Sequence, residues 1–200
     1  MSGVARDRLG AVALAAAYMT LAACHVAGTG VPGRALPAAL LGVQELLVAA
    51  LLLARRSSRA VSRRWSDRLV AAAALILPLG IHAPGVAQVS VSAVLEVAGL
   101  LLALLATATL GRHLGVLPAV RGVTTWGVYA VVRHPMYAAY MLLFIAYVAG
   151  EPSAQNATFA VAACALLVVR LRAEEAMLGR QVDYQAYRRR VPWRLVPGCY

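Results

Sequence analysis

The 200-residue chain contains no lysine: all 19 of its basic residues are arginines. That bias fits the alanine-rich composition of a GC-rich bacterial genome and carries no functional weight. Charge of either sign is scarce. Charged residues make up 14% of the chain and hydrophobic ones 62%, whereas soluble domains average about 25% and roughly 45–50%. A soluble domain is thereby excluded. Only three cysteines are present, Cys24 and Cys164 inside apolar runs and Cys199 next to the last residue, so there is neither a disulfide framework nor a prenylation box. The four histidines are scattered and give no metal-ligand spacing. A glycine-rich nucleotide loop and a nucleophile–histidine–acid set are also missing.

What the chain does have is long apolar runs, at residues 9–27, 36–54, 69–81, 92–110, 135–149 and 154–171. A helix of about 20 apolar residues crosses a bilayer, with roughly 17 as the lower limit. The third and fifth runs are short by that measure. The expected fold is all-α: a polytopic integral membrane helical bundle of five to six transmembrane helices, with a C-terminal interfacial helix. The stretch LAAC (21–24) behind Arg6 and Arg8 has the form of a lipoprotein cleavage site, but the run containing it reads as the first span.

The net charge of +11 raises the question of nucleic acid, and its placement answers against it. Arg6 and Arg8 precede the first run. Arg55, Arg56, Arg59, Arg63, Arg64 and Arg68 fill the second link. Arg112, Arg121 and Arg133 fill the fourth, and the rest begin at Arg170. The other links hold only Arg34, then no charge, then Glu151. This alternation follows the positive-inside rule. It predicts a bacterial inner (plasma) membrane protein with both termini in the cytoplasm.

Ionisable groups within the runs are costly in lipid. Glu45 and Glu96 are therefore expected to face the bundle interior, either as satisfied interhelical partners or as the lining of a substrate cavity. His82, beside prolines, reads as loop decoration. From Gly111 the texture changes. Pro118, Gly122 and Gly127 punctuate a polar surface loop, and Arg112 and His113 sit where cations suit a helix C-terminus. In RHPMY, Pro135 can open a helix because its missing N–H would be orphaned there anyway, and it pushes His134 out of helical conformation. The helix start that results, beside Arg133, suits an anion; a snorkelling arginine at a membrane boundary is the equal alternative. Further on, Leu171, Glu175, Leu178 and Val182 fall at helical spacing, which sets Glu175 on an apolar stripe. Glu174 follows Arg170 by four residues as a surface ion pair. The tail, with Tyr184, Tyr187, Trp193 and an arginine run, reads as an amphipathic helix lying on membrane lipids.

TTWGVYAVVRHPMYAAY, then two apolar runs, then EEAML and YQAYRRRVPWRLVPG, resembles the isoprenylcysteine carboxyl methyltransferase family, part of a wider group that includes phospholipid N-methyltransferases. Gly127, Tyr129, Arg133, His134, Pro135 and Tyr137 carry the first motif; Glu174, Glu175, Tyr184, Tyr187, Arg190 and Pro192 carry the second. Many members have a Phe-Gly pair before the first of the paired tyrosines, and here AMLGRQVD stands in that place, as in a shorter bacterial branch.

The chain divides near residue 111, where its texture changes, into two regions. Residues 1–110 form a four-helix transmembrane region. Residues 111–200 form a cofactor-binding methyltransferase region that includes a helical hairpin (135–171) and the cytoplasmic tail. The resemblance implies S-adenosyl-L-methionine at the cytoplasmic face and a lipophilic small-molecule substrate entering from the bilayer; the scattered histidines and the placement of the arginines argue for neither metal nor nucleic acid. Thr125, Gly127, Tyr129, His134, Pro135, Tyr137, Glu174, Glu175, Tyr184 and Tyr187 would bind the donor. Arg133, Glu175 and Arg190 would be catalytic, the arginines by orienting a carboxylate. The leading expectation is carboxyl O-methylation of an isoprenoid-like or fatty substrate, an acceptor already ionised at neutral pH. Phospholipid amine N-methylation is the alternative, and it needs a base. A non-catalytic membrane protein or small transporter built on Glu45 and Glu96 is the reading from another class.

Overall fold

A computed structural model describes residues 3–27, 35–55, 60–61, 65–77, 81, 91–115, 119–120 and 122–200. Arg34, Arg56, Arg59, Arg63, Arg64, His82, Pro118 and Arg121 lie outside the described residues, as does most of the third run beyond Leu77. The elements are α1 (Gly3–Ala27), α2 (Ala35–Ala54), β1 (Ala60–Val61), α3 (Trp65–Ile76), α4 (Val91–Leu110), β2 (Ala119–Val120), α5 (Pro135–Gly150), α6 (Ala154–Leu178) and α7 (Val182–Arg190). β1 and β2 form a two-residue antiparallel pair, Ala60 opposite Val120 and Val61 opposite Ala119. Among the described residues everything else regular is helical.

Among the described residues, four helices are long and apolar enough to cross a membrane: Gly10–Ala27, Ala35–Ala54, Val91–His113 and Ala154–Leu178. The other two expected spans are shorter. At 1.5 Å per residue α5 is about 24 Å long and α3 about 18 Å, against a hydrocarbon core of about 30 Å. Sequence explains both limits. α5 stops at Gly150, before Glu151-Pro152, and the residue preceding a proline is driven from helical conformation. α3 stops at Ile76, just ahead of Pro78. In the opposite sense, α6 runs on past residue 171, where the apolar run ends, through the Glu-Glu pair to Leu178. At about 37 Å it projects beyond the hydrocarbon.

α1 packs on α2, α2 on α4, α4 most extensively on α5, α5 on α6, and α6 on α3. The first core, between α1, α2 and the end of α4, gathers Ala15, Val48, Ala49, Leu52 and Leu114. The second, between α5 and α6, gathers Tyr137, Phe144, Ala160, Ala163, Leu167 and Leu171. Apolar side chains left outward, such as Val43, Leu46, Leu101, Leu105 and Ile145, face where lipid would lie. Glu45 and Glu96 are both buried, and Glu45 accepts a 2.8 Å bond from His25 Nδ1 across α1 and α2. The α5–α6 turn is tied by Ser153, whose Oγ accepts from Asn156 N, and by Asn156 Nδ2 donating to the Glu151 carbonyl. This hairpin carries both motif-bearing ends to the same end of the bundle.

Candidate active site

The segment between α4 and α5 is held against the end of α4 by two glycines in left-handed conformations. Gly127 has φ +59°, and a Cβ there would come within 2.9 Å of Thr109 Cγ2. Gly122 has φ +137°, and a Cβ would meet the His113 ring at 2.8 Å. Other residues rarely adopt such backbone conformations, so these positions let the segment lie flat on α4. His113 Nδ1 is 3.0 Å from Thr124 Oγ1. Arg112, expected to close its own helix, instead donates from Nε to the Ala54 carbonyl at the end of α2, 2.8 Å away.

Pro135 opens α5 as its ring predicts, with His134 as the non-helical N-cap at φ −129°, ψ 59°. Two amides of the first turn of α5 are already engaged: Tyr137 N and Ala138 N both donate to the His134 carbonyl. Just upstream the backbone pairs with the tail, Arg133 N donating to the Trp193 carbonyl and His134 N to the Arg194 carbonyl, at 2.9 and 2.8 Å.

Around this junction lies a hub centred on Glu175. Arg133, 4% exposed, donates from Nε to Glu175 Oε1 at 2.8 Å, and its Nη2 is 2.8 Å from the same oxygen. Its Nη1 donates to the Val191 and Pro192 carbonyls at 2.8 and 2.7 Å. His134 Nε2 and the Tyr184 hydroxyl each lie 3.3 Å from Glu175 Oε1, and Arg194 Nε donates to Oε2 at 2.9 Å. One carboxylate thus fastens the start of α5, the end of α6, α7 and the tail.

Next to the hub is a cavity. Its walls are the end of α4 and the residues after it (Leu110, Leu114, Gly115), the loop (Gly122, Val123, Thr124, Tyr129), the α5 start (Arg133, His134, Met136, Tyr137), α6 (Arg170, Glu174, Leu178) and α7 (Tyr184, Tyr187). Glu174 is its acidic side chain. Tyr137 donates to Glu174 Oε1 at 2.5 Å, and Arg170 Nε does so at 3.3 Å. Arg170 also reaches the Gly115 carbonyl at 3.2 Å and lies 5.7 Å from the centre of the Tyr137 ring. His134 stacks on Tyr137, centroids 5.6 Å apart.

The phenols of α7 and the loop are held protonated. Burial pushes Tyr187 up to about 12, against the opposing charges of Arg133 and Arg190. Burial also raises Tyr129 and Tyr184, helped by the negative charges of Glu174 and Glu175 respectively. Tyr187 donates to the Tyr129 carbonyl at 2.7 Å, a buried bond that fixes α7 on the loop.

Of the residues singled out in the sequence, Tyr129, Arg133, His134, Tyr137, Glu174, Tyr184 and Tyr187 come together on the cavity wall. Gly127 lies behind it, against α4. Pro135 is fully buried, and Glu175 sits in the hub. Thr125 is exposed while its neighbour Thr124 is buried and lines the cavity. Arg190 is exposed at the end of α7. The Arg170–Glu174 pair forms as its spacing predicts, but it lines the cavity and is not a surface pair. Thr124, Arg170 and Arg194 went unrecognised as site residues. Only Arg170 had a usable signal, a cation set in the last turns of an apolar run.

Residues 87–183 match the family model described as phospholipid methyltransferase. The matched stretch takes in α4, α5, α6 and the first residues of α7, and with them most of the cavity wall. No curated protein matches the sequence. The match defines the class: this is an integral membrane methyltransferase that uses S-adenosylmethionine and acts on a lipid acceptor.

Proposed function

We propose that the enzyme methylates the amine nitrogen of a membrane lipid, in the cavity bounded by α4, α5, α6 and α7. The observation that carries this reading is Glu174, a carboxylate on the cavity wall held by the Tyr137 hydroxyl. A carboxylate acceptor would want an arginine available to orient it. Arg133 already donates to three protein oxygens, Arg190 is exposed outside the cavity, and Arg170, which does line it, stands beside Glu174, whose negative charge would face that of a carboxylate acceptor. Carboxyl O-methylation of an isoprenoid-like or fatty acid is therefore the weaker alternative.

The residues present fit a cationic methyl donor. A carboxylate and the phenol rings of Tyr129, Tyr184 and Tyr187 favour positive charge in a poorly hydrated space. When bound, S-adenosylmethionine supplies an electrophilic methyl group. An ammonium must lose a proton before its nitrogen can attack, and Glu174 is the proton acceptor within the cavity. Leu110, Leu114, Met136 and Leu178 exclude water, and His134 stacked on Tyr137 keeps that phenol oriented toward Glu174. Orientation of this kind is the main catalytic contribution to a simple displacement.

We assign binding of donor and acceptor to α4 together with residues 111–200, and scaffolding to α1–α3. The distribution of arginines supports a cytoplasmic cavity, in a bacterial plasma membrane with both chain ends on that side.

The test uses the purified protein in vesicles, with S-adenosylmethionine carrying a tritiated methyl group. Phosphatidylethanolamine and a long-chain isoprenoid carboxylic acid are offered separately. Label that stays with the amine lipid after alkali is the expected result. Label released from the acid as volatile methanol marks a methyl ester and would overturn the amine reading.

A further inference from the structure

We infer that Arg170 is the specificity-determining residue for the acceptor, binding the phosphodiester that neighbours the methylated nitrogen. The inference rests on the amine-lipid reading and adds what that reading lacks, the means by which a zwitterionic headgroup is told from any other lipid amine. Among the described residues two arginines line the cavity, and their bonding differs. Arg133 is held by contacts of 2.7–2.8 Å to three oxygens. Those lengths are typical of charge-assisted bonds. The polar contacts that Arg170 makes among the described residues are long, 3.3 Å to Glu174 and 3.2 Å to the Gly115 carbonyl. A guanidinium so loosely engaged can turn its planar fork to an anion, and phosphate oxygens suit that fork.

Arg170 and Glu174 stand about one helical turn apart on α6, a separation of roughly 6 Å along the axis. They present a cation and an anion side by side on the cavity wall. An ethanolamine headgroup presents the complement, a phosphodiester and an ammonium joined by two carbons. An arginine within an apolar helix is costly and marks a functional position in such proteins. Packing on Tyr137 alone would not require its charge. A fatty amine without phosphate leaves Arg170 unanswered, and a carboxylate leaves Glu174 unanswered. The same charge pair would also suit the amino-acid end of the methyl donor, so the test must separate the two ligands.

Wild type, Arg170→Gln and Arg170→Lys are assayed in phosphatidylcholine vesicles, which offer no nitrogen to methylate. The acceptors are phosphatidylethanolamine and a long-chain alkylamine, and donor affinity is measured by calorimetry. Arg170→Gln should raise the KM for phosphatidylethanolamine about thirtyfold, the scale of one lost bond to a charged group. The alkylamine KM should rise less than about threefold, with donor affinity unchanged. If Arg170→Gln does not fold, Arg170→Lys decides, through a shift in the acceptor ratio of about threefold or more toward the alkylamine. Equal losses on both acceptors would make Arg170 merely structural. Weakened donor binding with an unchanged acceptor ratio would assign the pair to the donor. Either result overturns the inference. Wild type that methylates neither amine refutes instead the reading on which the inference rests.

Discussion

Two adjacent glutamates on one helix pair with arginines, Glu175 with Arg133 and Arg194 and Glu174 with Arg170, and the two sites behave differently. Glu175 with Arg133 is short, buried and shared among four segments of chain. Glu174 with Arg170 is longer, set on a cavity wall and completed by one phenol. The first has the form of a clasp and the second of a receptor. Consecutive residues on a helix point about 100° apart, so the same two-residue motif serves one neighbour in holding the fold and the other in facing a ligand. Short bonds to many protein oxygens leave little for a substrate, whereas long bonds to few leave room.

The largest effect should come from breaking the clasp. Arg133→Leu leaves Glu175 with less counter-charge and deprives the Val191 and Pro192 carbonyls of their donor. Truncating one partner of a buried ion pair costs about 3–5 kcal/mol. We expect a much lower melting temperature in detergent and faster tryptic cleavage at Arg188, Arg189 and Arg190 as α7 comes away. Unchanged melting would erase the distinction between the two pairs.

Glu174→Gln tests the other half. The amide can still accept from Tyr137, so the melting temperature should stay near wild type. Turnover should fall about 100-fold with saturating donor, the lower end of what a positioned general base contributes. If the loss lies wholly in donor affinity, Glu174 serves as a counter-charge and not as a base.

Part of this contrast could be read in the chain beforehand. Pro135 sets the start of α5 by a local covalent constraint, and the two motifs already named most of the polar side chains on the cavity wall. The helical spacing of Leu171, Glu175 and Leu178 correctly turned Glu175 inward. What it turned toward depended on Arg194 and on backbone pairing between residues 133–134 and 193–194, contacts about 60 residues apart that leave no periodic trace. The end of α6 was hidden for a related reason. Charge enters the helix at Arg170 and the apolar pattern stops, but the helix continues, its end tied by Glu175 to Arg133, Tyr184 and Arg194 and by Leu178 packed against Tyr184 and Tyr187. Glu174 looked like an ordinary surface partner of Arg170 because the loop that roofs both, residues 122–130, has no hydrophobic pattern of its own. Its course is set by Gly122 and Gly127 lying against α4.

The smallest expected effect concerns the phenol that joins α7 to the loop. Tyr187→Phe removes one buried hydrogen bond, to the Tyr129 carbonyl, and should cost about 1 kcal/mol at neutral pH. Its pH dependence is more informative than its size. Folding raises the Tyr187 pKa from its ordinary value of 10.0 to about 12. Between those values the folded chain keeps a proton that the unfolded chain has released, so stability falls as pH rises. The contribution is complete below pH 10 and is lost as pH passes through about 12. Tyr129 and Tyr184, also raised, add their own slopes in the same direction. Melting temperature measured from pH 8 upward should therefore decline less steeply in Tyr187→Phe than in wild type, the two curves converging at the alkaline end. Parallel curves would mean that Tyr187 titrates as a solvated phenol and that α7 does not seat on the loop, leaving the cavity without its tyrosine wall.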